Sequence, residues 1–214
     1  MMKSKTIGLC VGNIQRSATF EAVMNHALQE QGIQDMEITS GGILVEKILS
    51  NQTPLHVQIR MLEAGLRYGL VRPALEERVR EIVARGTEQE HTNEIRVLYG
   101  EVRPLVHGYN LNFRNQALSE VGITSFPKPY KPFDPKLGWD LILPMVERDV
   151  GKVEQRYHDA RLTVPILQTY GSLVGREELP DRIHSELTGA REVVTYFMDT
   201  RRKAIERIRE VYRK

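Results

Sequence analysis

Cys10 and Arg16 are separated by five residues in the run Cys10-Val11-Gly12-Asn13-Ile14-Gln15-Arg16-Ser17. A cysteine thiolate is a strong nucleophile, and an arginine fork binds two oxygens of an oxyanion at once. Five intervening residues let the chain curl until both side chains face one bound oxyanion. Gly12 and Asn13 are residue types that tolerate the left-handed backbone such a tight loop demands. Backbone N–H groups turned inward would complete a concave anion site, and their positive field favours the thiolate. Ser17 can donate its hydroxyl hydrogen to the sulfur. Everything in the loop suits a phosphate. A bare cysteine–arginine pair at this spacing recurs by chance, so the flanking elements decide.

Those elements fit. Ile7 to Val11 is a short apolar run after a polar start, the mark of a buried strand. Ser17 is the N-cap candidate of a helix carrying Phe20, Val23, Met24, Ala27 and Leu28 at helical spacing, stopped by Gly32. The loop therefore sits where a strand gives way to a helix N-terminus, the place where phosphate groups bind. Met36 to Ser40 reads as a second strand closed by Gly41-Gly42, Trp139 to Met145 as a third, and Leu162 to Leu167 as a fourth. Pro144 and Pro165 must lie at strand ends or edges. A basic amphipathic helix runs through Val193, Val194, Phe197, Ala204, Ile205, Ile208 and Val211. Strands alternating with helices imply a parallel sheet with right-handed crossovers.

Two stretches stand apart. Residues 54–85 carry a helical apolar pattern interrupted near Pro73, followed by a polar loop over 86–94. Residues 126–138 hold Pro127, Pro129, Pro132 and Pro135, which forbid regular structure over several residues.

Composition narrows the rest. The 214 residues are 41% hydrophobic and 27% charged, so the chain folds around its own core rather than staying disordered. A net charge of +2 is too small an excess to call for nucleic acid. One cysteine excludes an internal disulfide framework and any multi-cysteine zinc site, and suits a reducing compartment. The six histidines (His26, His56, His91, His107, His158, His184) show no metal-ligand spacing and read as surface or capping residues. No apolar run nears the roughly 18 residues of a membrane span, and the N-terminus lacks a signal-peptide pattern. The expectation is a cytoplasmic protein with no membrane, metal or cofactor.

The segment Cys10 to Ser17 closely resembles the signature of the low-molecular-weight protein tyrosine phosphatases, cysteine-x-glycine-asparagine-isoleucine-x-arginine-serine. Thr39-Ser40-Gly41-Gly42 is similar to the serine-alanine-glycine segment after that family's second strand. Ala117 to Ile123 resembles its helix ending in glycine-isoleucine, Trp139 to Leu143 its third strand, and Pro165 to Leu167 its fourth. Glu178-Leu179-Pro180-Asp181 looks like its acid loop, although Arg182 and Ile183 replace the usual proline and aromatic. Asp134-Pro135 is the rival by spelling, but it comes before the third strand and is out of order. Aliphatic Ile43, Leu44 and Val45 stand where members often carry an aromatic wall, and Gln15 where many have a second cysteine.

The resemblance implies an α/β, flavodoxin-like, three-layer fold with a four-stranded parallel sheet, residues 1–214 forming one phosphatase-like domain. A largely helical insertion over about 53–107 lies within it. It implies a phosphate monoester hydrolase, most similar to a protein tyrosine phosphatase, working through a phosphocysteine. Cys10 is then the nucleophile, Arg16 the oxyanion clamp and Asp181 the general acid. Val11, Gly12, Asn13, Ile14, Gln15, Arg16 and Ser17 bind the phosphate of a phosphorylated protein or small ester. Two other readings stand beside it: an arsenate reductase using an external thiol, and a catalytically weak phospho-ligand-binding regulator. The insertion is expected to form a helical hairpin over the site, lending Tyr68 or Tyr99 as a wall, and leaves open a homodimer through its apolar faces.

Overall fold

The computed structural model describes residues 3–86, 92–179 and 186–213. Strands β1 (Ser4–Cys10), β2 (Met36–Gly42), β3 (Leu141–Pro144) and β4 (Ile166–Leu167) form one parallel sheet in the order β2-β1-β3-β4. The register runs from Ser4 opposite Met36 to Cys10 opposite Gly42, and from Thr6 opposite Leu141 to Leu9 opposite Pro144. Pro144 closes β3, where a missing N–H costs least. The expected fourth strand is cut to two residues, beginning only after Pro165, whose ring removes a ladder donor.

Helices α1 (Arg16–Glu30), α2 (Val45–Leu49), α3 (Leu55–Arg67), α4 (Pro73–Arg85) and α5 (Thr92–Glu120) follow in chain order, interleaved with β2. After β3 come α6 (Val150–Asp159), α7 (Tyr170–Val174) and α8 (Glu186–Tyr212). The proline-rich stretch 126–138 holds no helix or strand beyond a single 3-10 turn at Pro135–Leu137. Among the described residues no helix is long and apolar enough to cross a membrane.

The chain divides into two compact units, residues 1–45 with 113–214, and residues 46–112. In the first, the sheet is the middle of three layers. Ile7, Leu9 and Ile142 point to a cluster with Phe133, Val153 and Tyr157 of the α6 side. Leu141, Leu143 and Cys10 point to the other face, where α1, α7 and α8 supply Phe20, Tyr170 and Phe197. That face turns on one glycine. A Cβ at Gly8 would lie 2.4 Å from Phe20 Cδ1, so the strand leaves out a side chain to seat the ring. Phe20 then meets Tyr170 and Phe197 edge-on, at centroid distances of 5.3 and 5.8 Å.

The second unit is helical. Within it α3 and α4 pack together, and Leu62, Val79, Ile82, Ile95 and Val102 are buried. Tyr99 is only 1% exposed, Arg103 lies 5.8 Å over its ring, and burial raises its phenol pKa. It is a core residue of this unit and cannot serve as an exposed wall. Tyr68 stacks on Tyr109 at 4.7 Å. His107, expected at the surface, is buried.

Replacing Phe20 by Ala should lower unfolding free energy by about 3–5 kcal/mol, read by urea denaturation. Gly8→Ala alone should cost about 1–3 kcal/mol, and Phe20→Leu should recover part of that loss. Strict additivity of the two would contradict the contact.

Candidate active site

At the carboxyl end of β1 the chain leaves the sheet as the loop 11–15 and re-enters regular structure at Arg16. Its carbonyls are all but one tied outward. Cys10 O accepts from Ile43 N at 3.0 Å, Val11 O from Leu44 N at 2.9 Å, and Asn13 O from Tyr130 N at 3.4 Å. Ile14 O accepts from Arg114 Nη1 at 2.9 Å, and Gln15 O from Thr19 N at 2.8 Å. Among the described residues, no protein acceptor meets the backbone N–H groups of residues 11–15. A loop with its carbonyls occupied and its amides uncommitted has the polarity of an anion receptor, and the start of α1 adds to it.

Asn13 keeps the loop in shape. It has φ 53°, a left-handed conformation that asparagine tolerates better than most. Its Nδ2 donates to Ser40 Oγ at 2.7 Å and Ser17 Oγ at 3.1 Å, and its Oδ1 accepts from Lys131 N at 3.0 Å. Ser40 in turn donates to Glu21 at 2.5 Å, and Glu21 also holds the Lys131 ammonium. Gly42 lets the two chains approach. A Cβ there would lie 2.9 Å from Asn13 N and from Gly12 C.

Cys10 Sγ lies 3.0 Å from Ser17 Oγ. Ser17 Oγ is also 3.2 Å from Gly41 O, which can take only its proton. With one proton to give, Ser17 can turn toward Gly41 when the cysteine is a thiol, and toward sulfur when it is a thiolate. This is why Ser17 is not the cap expected from sequence. The N-cap of α1 is Gln15, which makes no side-chain cap bond.

Arg16 is 3% exposed and donates through Nη1 to Leu179 O at 3.4 Å. That contact brings the segment leading to Asp181 beside the loop. Asp181 and His184 themselves lie outside the described residues. Asp134, the rival, is engaged elsewhere: its carboxylate accepts from Lys136 N and its carbonyl from the Trp139 indole. Ile43 and Val45 are buried, so the positions after β2 are core rather than wall.

The sequence alone did not single out Arg114, Glu21 or Lys131. Arg114 had a visible sign: Asn110, Arg114, Ala117 and Leu118 share one helical face, and all four are buried.

The chain matches the family described as low molecular weight phosphotyrosine protein phosphatase over residues 5–101. That family is one of hydrolases, and the match includes the loop 11–15. The match ends inside α5. A comparison with curated proteins found no match. Solved structures share the fold. A YwlE mutant from Bacillus subtilis is 13% identical with TM-score 0.57, covering 97% of this chain and 99% of that one. The low molecular weight protein tyrosine phosphatase from T. tengcongensis is 18% identical with TM-score 0.53, covering 95% and 99%. The Drosophila arginine phosphatase DARP is 18% identical with TM-score 0.51, covering 100% and 99%. At these identities the likeness is one of fold.

Asn13→Ala should lower unfolding free energy by about 2–4 kcal/mol, since it strands buried partners and strains a left-handed position. Asn13→Gly, which relieves the strain alone, should be less harmful in thermal unfolding. Equal losses would mean that the backbone conformation contributes nothing.

Proposed function

We propose that the protein hydrolyses phosphate monoesters through a phosphocysteine. The observation that carries this is the loop itself: outward carbonyls and uncommitted amides around Cys10 Sγ, with Arg16 buried at its end. In this reading the thiolate attacks phosphorus and the P–O bond to the leaving group breaks. The amides of residues 11–16 and the Arg16 fork hold the three equatorial oxygens. Asp181 protonates the departing oxygen, then as a carboxylate takes a proton from the water that cleaves the P–S bond. Ser17 offers its hydroxyl proton to the sulfur as it leaves. The Arg16–Leu179 contact favours Asp181 over Asp134 as the acid.

For the substrate we infer an aryl phosphate, phosphotyrosine before phosphoserine. Ile14 resembles the isoleucine of tyrosine-directed members, where arginine-phosphate-directed relatives tend to have threonine. Cys10, only 4% exposed at the end of β1, also suits a long, rigid leaving group. A kinetic panel of phosphotyrosine, phosphoserine and phosphoarginine peptides tests it; faster phosphoserine hydrolysis would count against this pocket shape, and faster phosphoarginine hydrolysis against the Ile14 argument.

Cys10→Ser should abolish turnover of aryl phosphate while phosphate or vanadate binding persists; retained turnover would end the phosphocysteine mechanism. Asp181→Asn should lower kcat by about 10²–10⁴-fold, with Asp134→Asn near wild type. The reverse pattern would transfer the acid to Asp134.

A further inference from the structure

Among the described residues, one loop carbonyl is held by a charged side chain rather than by a backbone amide. Arg114, on α5, donates to Ile14 O at 2.9 Å and to Pro127 O at 3.0 Å. Its Nε and Nη2 also meet Asn115 Oδ1, at 3.1 and 2.9 Å. Arg114 is 2% exposed and is the largest fully buried residue among those described.

All these acceptors are neutral. The carboxylate that acts on Arg114 electrostatically is Glu21, and its Oε2 already serves Ser40 and Lys131. Burial lowers the Arg114 pKa to about 10, so the group stays charged at neutral pH. A guanidinium buried against carbonyls alone is costly, and an apolar side chain of similar size would fill the space at less cost. Something must compensate for it.

The geometry of the peptide group supplies a reason. The Ile14–Gln15 peptide is planar and trans, so its N–H points opposite to its C=O. Pulling Ile14 O toward Arg114 turns the Gln15 N–H the other way, and that N–H is one of the donors with no protein acceptor. The charge itself sits directly behind the loop. Its missing counter-charge is the anion that the loop would bind in front.

We propose that Arg114 is a positioning residue of the phosphate loop, fixing the Ile14–Gln15 peptide for the anion and having that anion as its electrostatic partner. This rests on the reading of the loop as a phosphate site. Arg114 touches neither substrate nor sulfur; it acts through one peptide group and through its field.

The test uses the full chain with Arg114→Lys, Arg114→Met and Asn115→Ala. The readouts are folding by circular dichroism, inorganic phosphate affinity by calorimetry, and kcat and KM for an aryl phosphate. Arg114→Met should weaken phosphate binding about tenfold or more and lower kcat as well. Arg114→Lys keeps the charge but loses the fork. It should recover phosphate affinity to within about threefold while kcat stays about tenfold low. A strut role alone would lower the melting temperature and leave affinity, kcat and KM of the folded protein unchanged, which would overturn the proposal. Should Arg114→Met fail to fold, Arg114→Lys and Asn115→Ala carry the test, and wild-type kcat in both would overturn it. A wild-type chain that neither binds phosphate nor hydrolyses aryl phosphates overturns the phosphate reading and this proposal together. An active wild type with silent Arg114 variants overturns this proposal alone.

Discussion

The site depends on one constraint: a peptide chain that binds an anion with its amides must first occupy its carbonyls. Every peptide group carries both, in opposite directions. In the loop after β1 the carbonyls of residues 10, 11, 13, 14 and 15 are engaged by donors from four different places. Ile43 and Leu44 come from the chain beyond β2, Tyr130 from the proline-rich segment, Arg114 from α5, and Thr19 from the helix that the loop begins. The three-layer fold is what brings those donors to one edge of one sheet.

The elements around the loop look arbitrary until they are seen as carriers of these donors. The proline-rich stretch forms no strand of its own, yet its backbone bonds to Gly42 on both sides: Gly42 N donates to Lys131 O, and Phe133 N donates to Gly42 O. That places Tyr130 N and Lys131 N against Asn13. Prolines at 127, 129 and 132 bias the residue before each toward extended backbone, and the chain turns between them at Tyr130, with φ 58°. Gly42 is required from the other direction, because a side chain there would strike the loop backbone.

What the sequence made legible follows range. Cys10, Gly12, Asn13, Arg16 and Ser17 lie within eight residues, so their types and spacing reveal a cradle without knowledge of the fold. The sheet was legible too, because β1 and β3 carry apolar runs buried on both faces, while β2 shows Met36 and Ile38 alternating with polar residues before Gly41-Gly42. Interactions across a hundred residues were not. Arg114 meets Ile14 only after α5 is laid beside the loop, and nothing in a linear pattern separates it from a surface arginine except its place on an apolar helical face. Ser17 misled for a related reason. As a local pattern it is a good N-cap, but the tertiary structure gives its hydroxyl to Cys10, Asn13 and Gly41. The fourth strand shrank because Pro165 overrides the apolar run around it.

The same accounting explains why Asn13 is an asparagine and not the glycine that its φ would favour. Glycine would relax the backbone but would leave Ser40, Ser17 and the Lys131 amide without their shared partner. Ser40 is fixed further by Glu21, which lies on α1 and also binds Lys131. A closed chain of contacts thus runs from the loop through β2 to α1, on to the proline-rich segment, and back to the loop. Arg114 stands outside that chain, with carbonyls in place of a carboxylate. A network that neutralised every charge at rest would leave little net field for an incoming anion. In the proposed reading Arg114, whose hydrogen-bond acceptors among the described residues are all neutral, keeps that field directed at the loop.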